Sequence, residues 1–89
     1  GGSDAALRRM RALFIEELPR QRDRVAAALA GGDTTGLRAV LHQMRAGCGF
    51  VGASALAAAV EALHAAPADD DAAARLLRRI DEALASAGG

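Results

Sequence analysis

Aromatic side chains are nearly missing from this chain, with two Phe, no Tyr and no Trp in 89 residues. Any core must therefore be built from aliphatic side chains. Alternating apolar and polar runs are missing as well, and β-branched residues are few, which leaves nothing to build a half-buried strand from. The formal net charge is zero, which excludes a nucleic-acid module held by a basic face. No apolar run approaches the ~20 residues needed to cross a bilayer, so no membrane contact is expected of this domain. A single cysteine cannot close an internal disulfide, and nothing points to an oxidising compartment. No signal peptide is legible either, since Gly1-Gly2-Ser3 reads as a cloning scar. A cytoplasmic location is the expectation.

What the chain has is alanine and leucine, within a hydrophobic content of 52%. Those are helix-forming preferences, and this length holds one small core. The expected fold is all-α, a bundle of four helices over residues 4–86, with 1–3 as the scar and 87–89 as a frayed tail. The first helix is expected to start near Ser3 or Asp4, either of which can serve as N-cap. Its apolar stripe runs through Leu7, Met10, Phe14, Leu18, Val25, Ala28 and Leu29. Pro19 interrupts the stripe, removes one backbone bond and kinks helices. Because the register survives across it, one long kinked helix to about Ala30 is the reading, with two abutting helices as the alternative.

Gly31-Gly32 ends that helix and Asp33 caps the second, which extends to about Phe50. Gly52-Ala53-Ser54 makes the next turn, with Ser54 as cap. A third helix follows, burying Leu56, Ala59, Val60 and Leu63 and ending at Ala65-Ala66-Pro67. Asp69 caps the fourth, with Asp70 and Asp71 in its first turn, where the macrodipole favours anions. That helix buries Ala73, Leu76, Leu77, Ile80 and Leu84. Short loops between four amphipathic helices imply an antiparallel up-down-up-down order.

The stretch from Leu41 to Ala53 organises the rest. On a wheel of about 100° per residue, Leu37, Val40, Leu41, Met44, Cys48 and Val51 gather on one side. His42 points almost the opposite way, with Arg38 one turn before it, Arg45 and Ala46 one turn after and Gly49 two turns after. The result is an outward imidazole flanked by two cations, with little side-chain bulk on the turns that follow. Such a surface suits a nucleophile that a large partner must reach and that will carry negative charge.

This stretch resembles the signature of histidine-containing phosphotransfer (HPt) domains, H-x-[LM]-[KR]-[GA]-[SAG]-x-x-x-[ILV]-G-[AL]. His42 matches the phosphorylated histidine, Met44 the apolar position, Arg45 the basic residue, and Val51-Gly52-Ala53 the closing segment. Ala46 stands where Gly is commonest and Gly47 where Ser is, both still small. The similarity extends to Phe14-Ile15-Glu16-Glu17-Leu18-Pro19, to Gly32-Asp33 and to Leu56. It implies a relay domain of bacterial two-component signalling, of the kind at the C-terminus of hybrid sensor histidine kinases. His42 would accept a phosphoryl group from a receiver-domain aspartate and pass it to another receiver. Arg45 would pair with the phosphoryl oxygens, while Ala46 and Gly49 would leave room for the partner. Arg38 either adds to that field or is a solvated helix-face cation. The resemblance implies a receiver domain as partner, with Mg²⁺ expected in that partner; the chain itself is expected to be a monomer with no cofactor of its own.

The remaining features read more plainly. Gln21 and Gln43 are candidates for a supporting shell around His42, although Gln21, falling on the apolar stripe, reads first as a polar residue near a bundle end. His64 sits near the C-terminus of the third helix, where a partly protonated imidazole is mildly stabilising. No clearing of small residues surrounds it, so a second phosphorylation site is not expected there. Cys48 reads as a small core residue. A metal site made from His42, His64 and Cys48 has too few ligands and no paired spacing. Phe50 lies at the edge of the histidine face, as core or as part of an apolar docking ring. With no acidic cluster and no Gly-rich phosphate loop beside His42, catalytic machinery is expected from the partner, and the domain is not an enzyme by itself. The rivals are a helical docking module without phosphoryl transfer, which would not need His42 and Arg45, and a dimerisation domain, whose extra apolar stripe is not visible.

Overall fold

The computed structural model describes the backbone of residues 2–51 and 53–88 and the side chains of 4–49 and 53–87. Four helices account for nearly all of it: α1 (Gly2–Gly31), α2 (Thr34–Val51), α3 (Ser54–Ala65) and α4 (Asp70–Gly88). There is no strand among the described residues, as expected from the missing alternation.

The helix boundaries have local causes. Gly32 takes φ +65°, a left-handed conformation that costs glycine little. Its amide donates to the Leu29 carbonyl at 3.3 Å and that of Asp33 to Ala28 at 2.9 Å. This pair of bonds satisfies the last carbonyls of α1. Asp33 then accepts a 2.9 Å bond from the Gly36 amide through Oδ1, and Asp69 Oδ1 accepts from the amides of Asp71 and Ala72 at 3.0 and 3.3 Å. Both aspartates act as the N-caps expected of them. Ser54 does not. It is the first residue of α3, the cap position belongs to Ala53, and no side chain bonds there. A two-residue link leaves no room for Ser54 to stay outside the helix.

α1 is one uninterrupted helix with Pro19 inside it, so the alternative of two abutting helices does not apply. It begins at Gly2, ahead of the start expected at Ser3 or Asp4. Its 30 residues span about 45 Å at 1.5 Å per residue, matching the longest dimension of the molecule, 45 Å. The other helices are shorter, and this decides which part of the apolar stripe is covered. Leu18 and Val25 are fully buried, and Phe14 is half-buried, whereas Leu7 and Leu13 are 38% and 58% exposed. The burial expected at Leu7 therefore fails and that at Met10 is only partial, because Phe14 already lies beside Gly47, one turn from the end of the partner helix α2. Nearer the turn, Arg24 meets Gln43.

Helices packed in sequence, α1 on α2, α2 on α3, α3 on α4 and α4 back on α1, enclose a single aliphatic core. Leu18, Leu41, Met44, Leu63, Leu76 and Ile80 are its largest fully buried side chains. Burying each such side chain contributes roughly 1.5–3 kcal/mol. α4 presents Ala72, Leu76 and Ile80 to this core, with Ala73, Leu77 and Leu84 half-buried at its edge. On the outside, Arg22 of α1 reaches Asp81 of α4 at 2.8 Å. That carboxylate's hydrogen bond and charge raise the guanidinium pKa further above its ordinary value.

Candidate functional site

α2 carries the site because its two faces are unlike. Leu37, Val40, Leu41, Met44 and Cys48 are all buried, Leu41 and Met44 completely. Burial pushes the Cys48 thiol pKa up, keeping it neutral and unreactive in the way of an ordinary core residue. The opposite side of the same helix holds Arg38, His42, Arg45, Ala46 and Gly49, and all five are exposed. A Cβ added at Gly49 would meet nothing within 4 Å. The imidazole of His42 thus stands on open surface, with cations one turn to either side and two nearly bare turns beyond it.

The cations are not all free. Arg45 forms an ion pair through Nε with Glu61 of α3, the two side chains being 47% and 52% exposed. On the other flank, Arg24 of α1 donates through Nη1 to Gln43 Oε1 at 3.1 Å. That contact brings a third guanidinium to the α1 side of the surface. Glu61 and Arg24 were not singled out from the sequence. Glu61 was within reach of such reasoning, since a short α2–α3 link sets it across from Arg45.

Gly47 has a different role from Gly49. A Cβ there would lie 3.1 and 3.2 Å from ring carbons of Phe14, so its smallness serves the packing of α1 on α2. Gln21 is 9% exposed, and its Oε1 is buried without a hydrogen-bond partner. It sits on the core side of α1, whereas His42 faces outward. Gln43, exposed beside His42 in sequence, is engaged by Arg24 instead. Phe50, Val51 and Gly52 lie outside the residues whose side chains are described. Among the described residues, no group of three or more His, Cys, Asp or Glu could hold a metal ion.

An exposed histidine between arginines on a helix of a four-helix bundle is a general arrangement, and the comparison with protein families gives it a meaning. The Hpt domain model matches residues 9–87. The chain belongs to the Hpt domain family. Its members are phosphotransfer modules of two-component signalling that interact with response-regulator receiver domains, and they are not catalytic enzymes in themselves. Curated proteins and solved structures give no match to this chain. No helix among the described residues is long and apolar enough to cross a membrane.

Proposed function

We propose that this Hpt domain is a phosphorelay intermediate that takes a phosphoryl group onto His42 from the aspartate of one receiver domain and gives it to another. The observation that carries this reading is the exposure of His42 on the one face of α2 where Arg38 and Arg45 flank it and Ala46 and Gly49 leave space. An imidazole near neutral pH offers an unprotonated ring nitrogen as nucleophile. Its lone pair attacks phosphorus as the aspartyl O–P bond breaks, and the carboxylate leaves with the electron pair. The phosphorylated ring then sheds its remaining N–H proton to water. The reverse sequence passes the group on.

Within that reaction the chain positions and stabilises. Arg45 swings from Glu61 towards the phosphoryl oxygens, where charge-assisted bonds are strong, and Arg38 adds positive field. Mg²⁺ belongs to the receiver, where it supplies charge neutralisation on the transferring group. The up-down-up-down antiparallel order is part of the same reading, supported for its first pair by the opposed contacts along α1 and α2. A bend of α1 at Pro19 is part of it too, supported by the backbone bond that proline removes. So are a monomeric state and a place at the cytoplasmic C-terminus of a hybrid sensor kinase.

The test is incubation of the chain with a receiver domain phosphorylated on its aspartate, followed by assay for acid-labile phosphate on the chain. Label on the wild type and none on His42→Gln is the expected result. Full labelling of His42→Gln overturns the assignment, and a chain that docks without ever taking label is the docking module instead.

A further inference from the structure

α1 runs on beyond the level where Phe14 meets Gly47, and its N-terminal part carries an unusual distribution of charge. Within residues 4–14 stand Arg8, Arg9 and Arg11 against one carboxylate, Asp4. All three arginines are exposed, and among the described residues none of them takes part in an ion pair. The next acidic residue that could reach back, Glu17, is paired with Arg20. The arginines also have a definite arrangement. At about 100° per residue, Leu13, Met10, Phe14 and Leu7 share one arc of about 120° with Met10 in its middle. Arg9 borders that arc on the Leu13 side and Arg11 on the Leu7 side, while Arg8 lies behind. The bundle uses the arc only in part. Phe14 and Met10 are half-buried, but Leu7 and Leu13 are exposed.

An apolar arc edged on both sides by guanidinium groups suits a helix lying at a lipid–water interface. The arc sinks below the headgroups, and the arginines reach back up to the phosphates on their long stems. We infer that the N-terminal segment of α1 is a docking surface for a bilayer rich in anionic lipid. Charge complementarity decides the occupant. A second copy of the chain laid on this face would bring the arginines of both copies together, which is repulsive. A protein surface acidic enough to attract all three arginines would set carboxylates against Leu7 and Leu13. An anionic bilayer separates the two needs, with charge outside and hydrocarbon beneath. The contact lies on the bilayer without crossing it, so it requires no spanning helix. The expectation of no membrane contact, drawn from the missing apolar run, then holds for spanning alone. The inference goes beyond the phosphotransfer reading and does not rest on it.

The experiment is co-sedimentation of the 89-residue chain with two kinds of vesicle, phosphatidylcholine alone and phosphatidylcholine mixed with phosphatidylserine, at low and high salt. Wild type is compared with the double variant Arg9→Gln/Arg11→Gln and with Leu13→Ser, with thermal melts and sedimentation velocity alongside. The replaced side chains are all exposed, so the three proteins should melt alike. The expected result is wild type bound to the phosphatidylserine vesicles, released by high salt and scarcely bound to phosphatidylcholine. Binding should weaken about fivefold for each arginine removed and about tenfold in Leu13→Ser. Equal behaviour towards the two kinds of vesicle, or binding that neither variant weakens, overturns the inference. A wild type that self-associates through Leu13 and ignores the vesicles overturns it in favour of a second copy. Transfer from a phosphorylated receiver that fails in either variant, with no vesicle binding by the wild type, overturns it in favour of the receiver.

Discussion

Arg45 and Glu61 bind each other across α2 and α3 with both side chains about half exposed. An ion pair in that setting contributes roughly 0–1 kcal/mol, because water already solvates both charges well. The arrangement holds the guanidinium one turn from His42 without committing it. An incoming phosphoryl group, doubly charged and rich in acceptors, competes easily with one carboxylate for the same donors.

Two substitutions separate holding from pairing. Arg45→Ala should slow phosphoryl transfer about tenfold or more, by removing charge-assisted bonds to the phosphoryl oxygens, and Arg45→Lys should restore most of the rate. Glu61→Gln should change stability by less than about 1 kcal/mol and raise the transfer rate by no more than about fivefold. Rates from a phosphorylated receiver, read beside thermal melts, check both. A wild-type rate in Arg45→Ala would mean that the residue is only a solvated charge.

His42→Gln should accept no phosphate and melt close to the wild type, because the side chain is exposed and surface substitutions of that kind stay within about 0.5 kcal/mol. The pairing of those two outcomes is the point of the measurement. Loss of acceptance together with a large drop in melting temperature would report damage to α2 and not loss of the nucleophile.

Gln21 offers the opposite contrast, since its carboxamide oxygen is buried without a partner. Replacing it with Leu should raise stability by about 1 kcal/mol, by removing a desolvated group that nothing compensates. Phosphate acceptance should be unchanged if the residue belongs to the core. A slowed rate in Gln21→Leu would instead tie Gln21 to His42.

Much of this architecture is legible in the sequence because its causes are local. Asp33 and Asp69 cap because a short carboxylate precedes an apolar period, and Gly32 ends α1 because the chain there needs a left-handed residue. The outward aim of His42 followed from helical period alone. What was not legible depends on how far one helix overlaps another. The exposure of Leu7 and the contact of Gly47 with Phe14 are set by register between helices. A single-helix pattern carries no record of it.

Cys48 gives a pH dependence with a definite sign. Burial raises its thiol pKa in the folded chain, so the folded state disfavours the thiolate relative to the unfolded one. The contribution to stability is therefore constant at neutral pH and falls as pH climbs through the ordinary thiol range. Iodoacetamide at mildly alkaline pH should modify Cys48 slowly in the native domain and quickly in denaturant. Equal rates would mean that the core opens readily around α2.

The two glycines of α2 make the sharpest test of which surface a receiver uses. Both cost the helix about 1 kcal/mol relative to alanine, yet their surroundings differ. At Gly49 an added Cβ meets nothing, and at Gly47 it presses on the Phe14 ring at 3.1 Å. Gly49→Ala should therefore raise stability by up to about 1 kcal/mol, while Gly47→Ala gains less or loses, because the ring must give way. Gly49→Gln should fold as well, since the position is exposed, but its bulk would stand two turns from His42 in the path of a docking partner. Transfer from a phosphorylated receiver should then fall sharply, and labelling by phosphoramidate, which needs no docking surface, should hardly change. The measurement is that pair of rates beside a melt. Equal loss in both would mean that the glutamine disturbs His42 itself, and no loss in either would place the receiver's footprint elsewhere on the bundle.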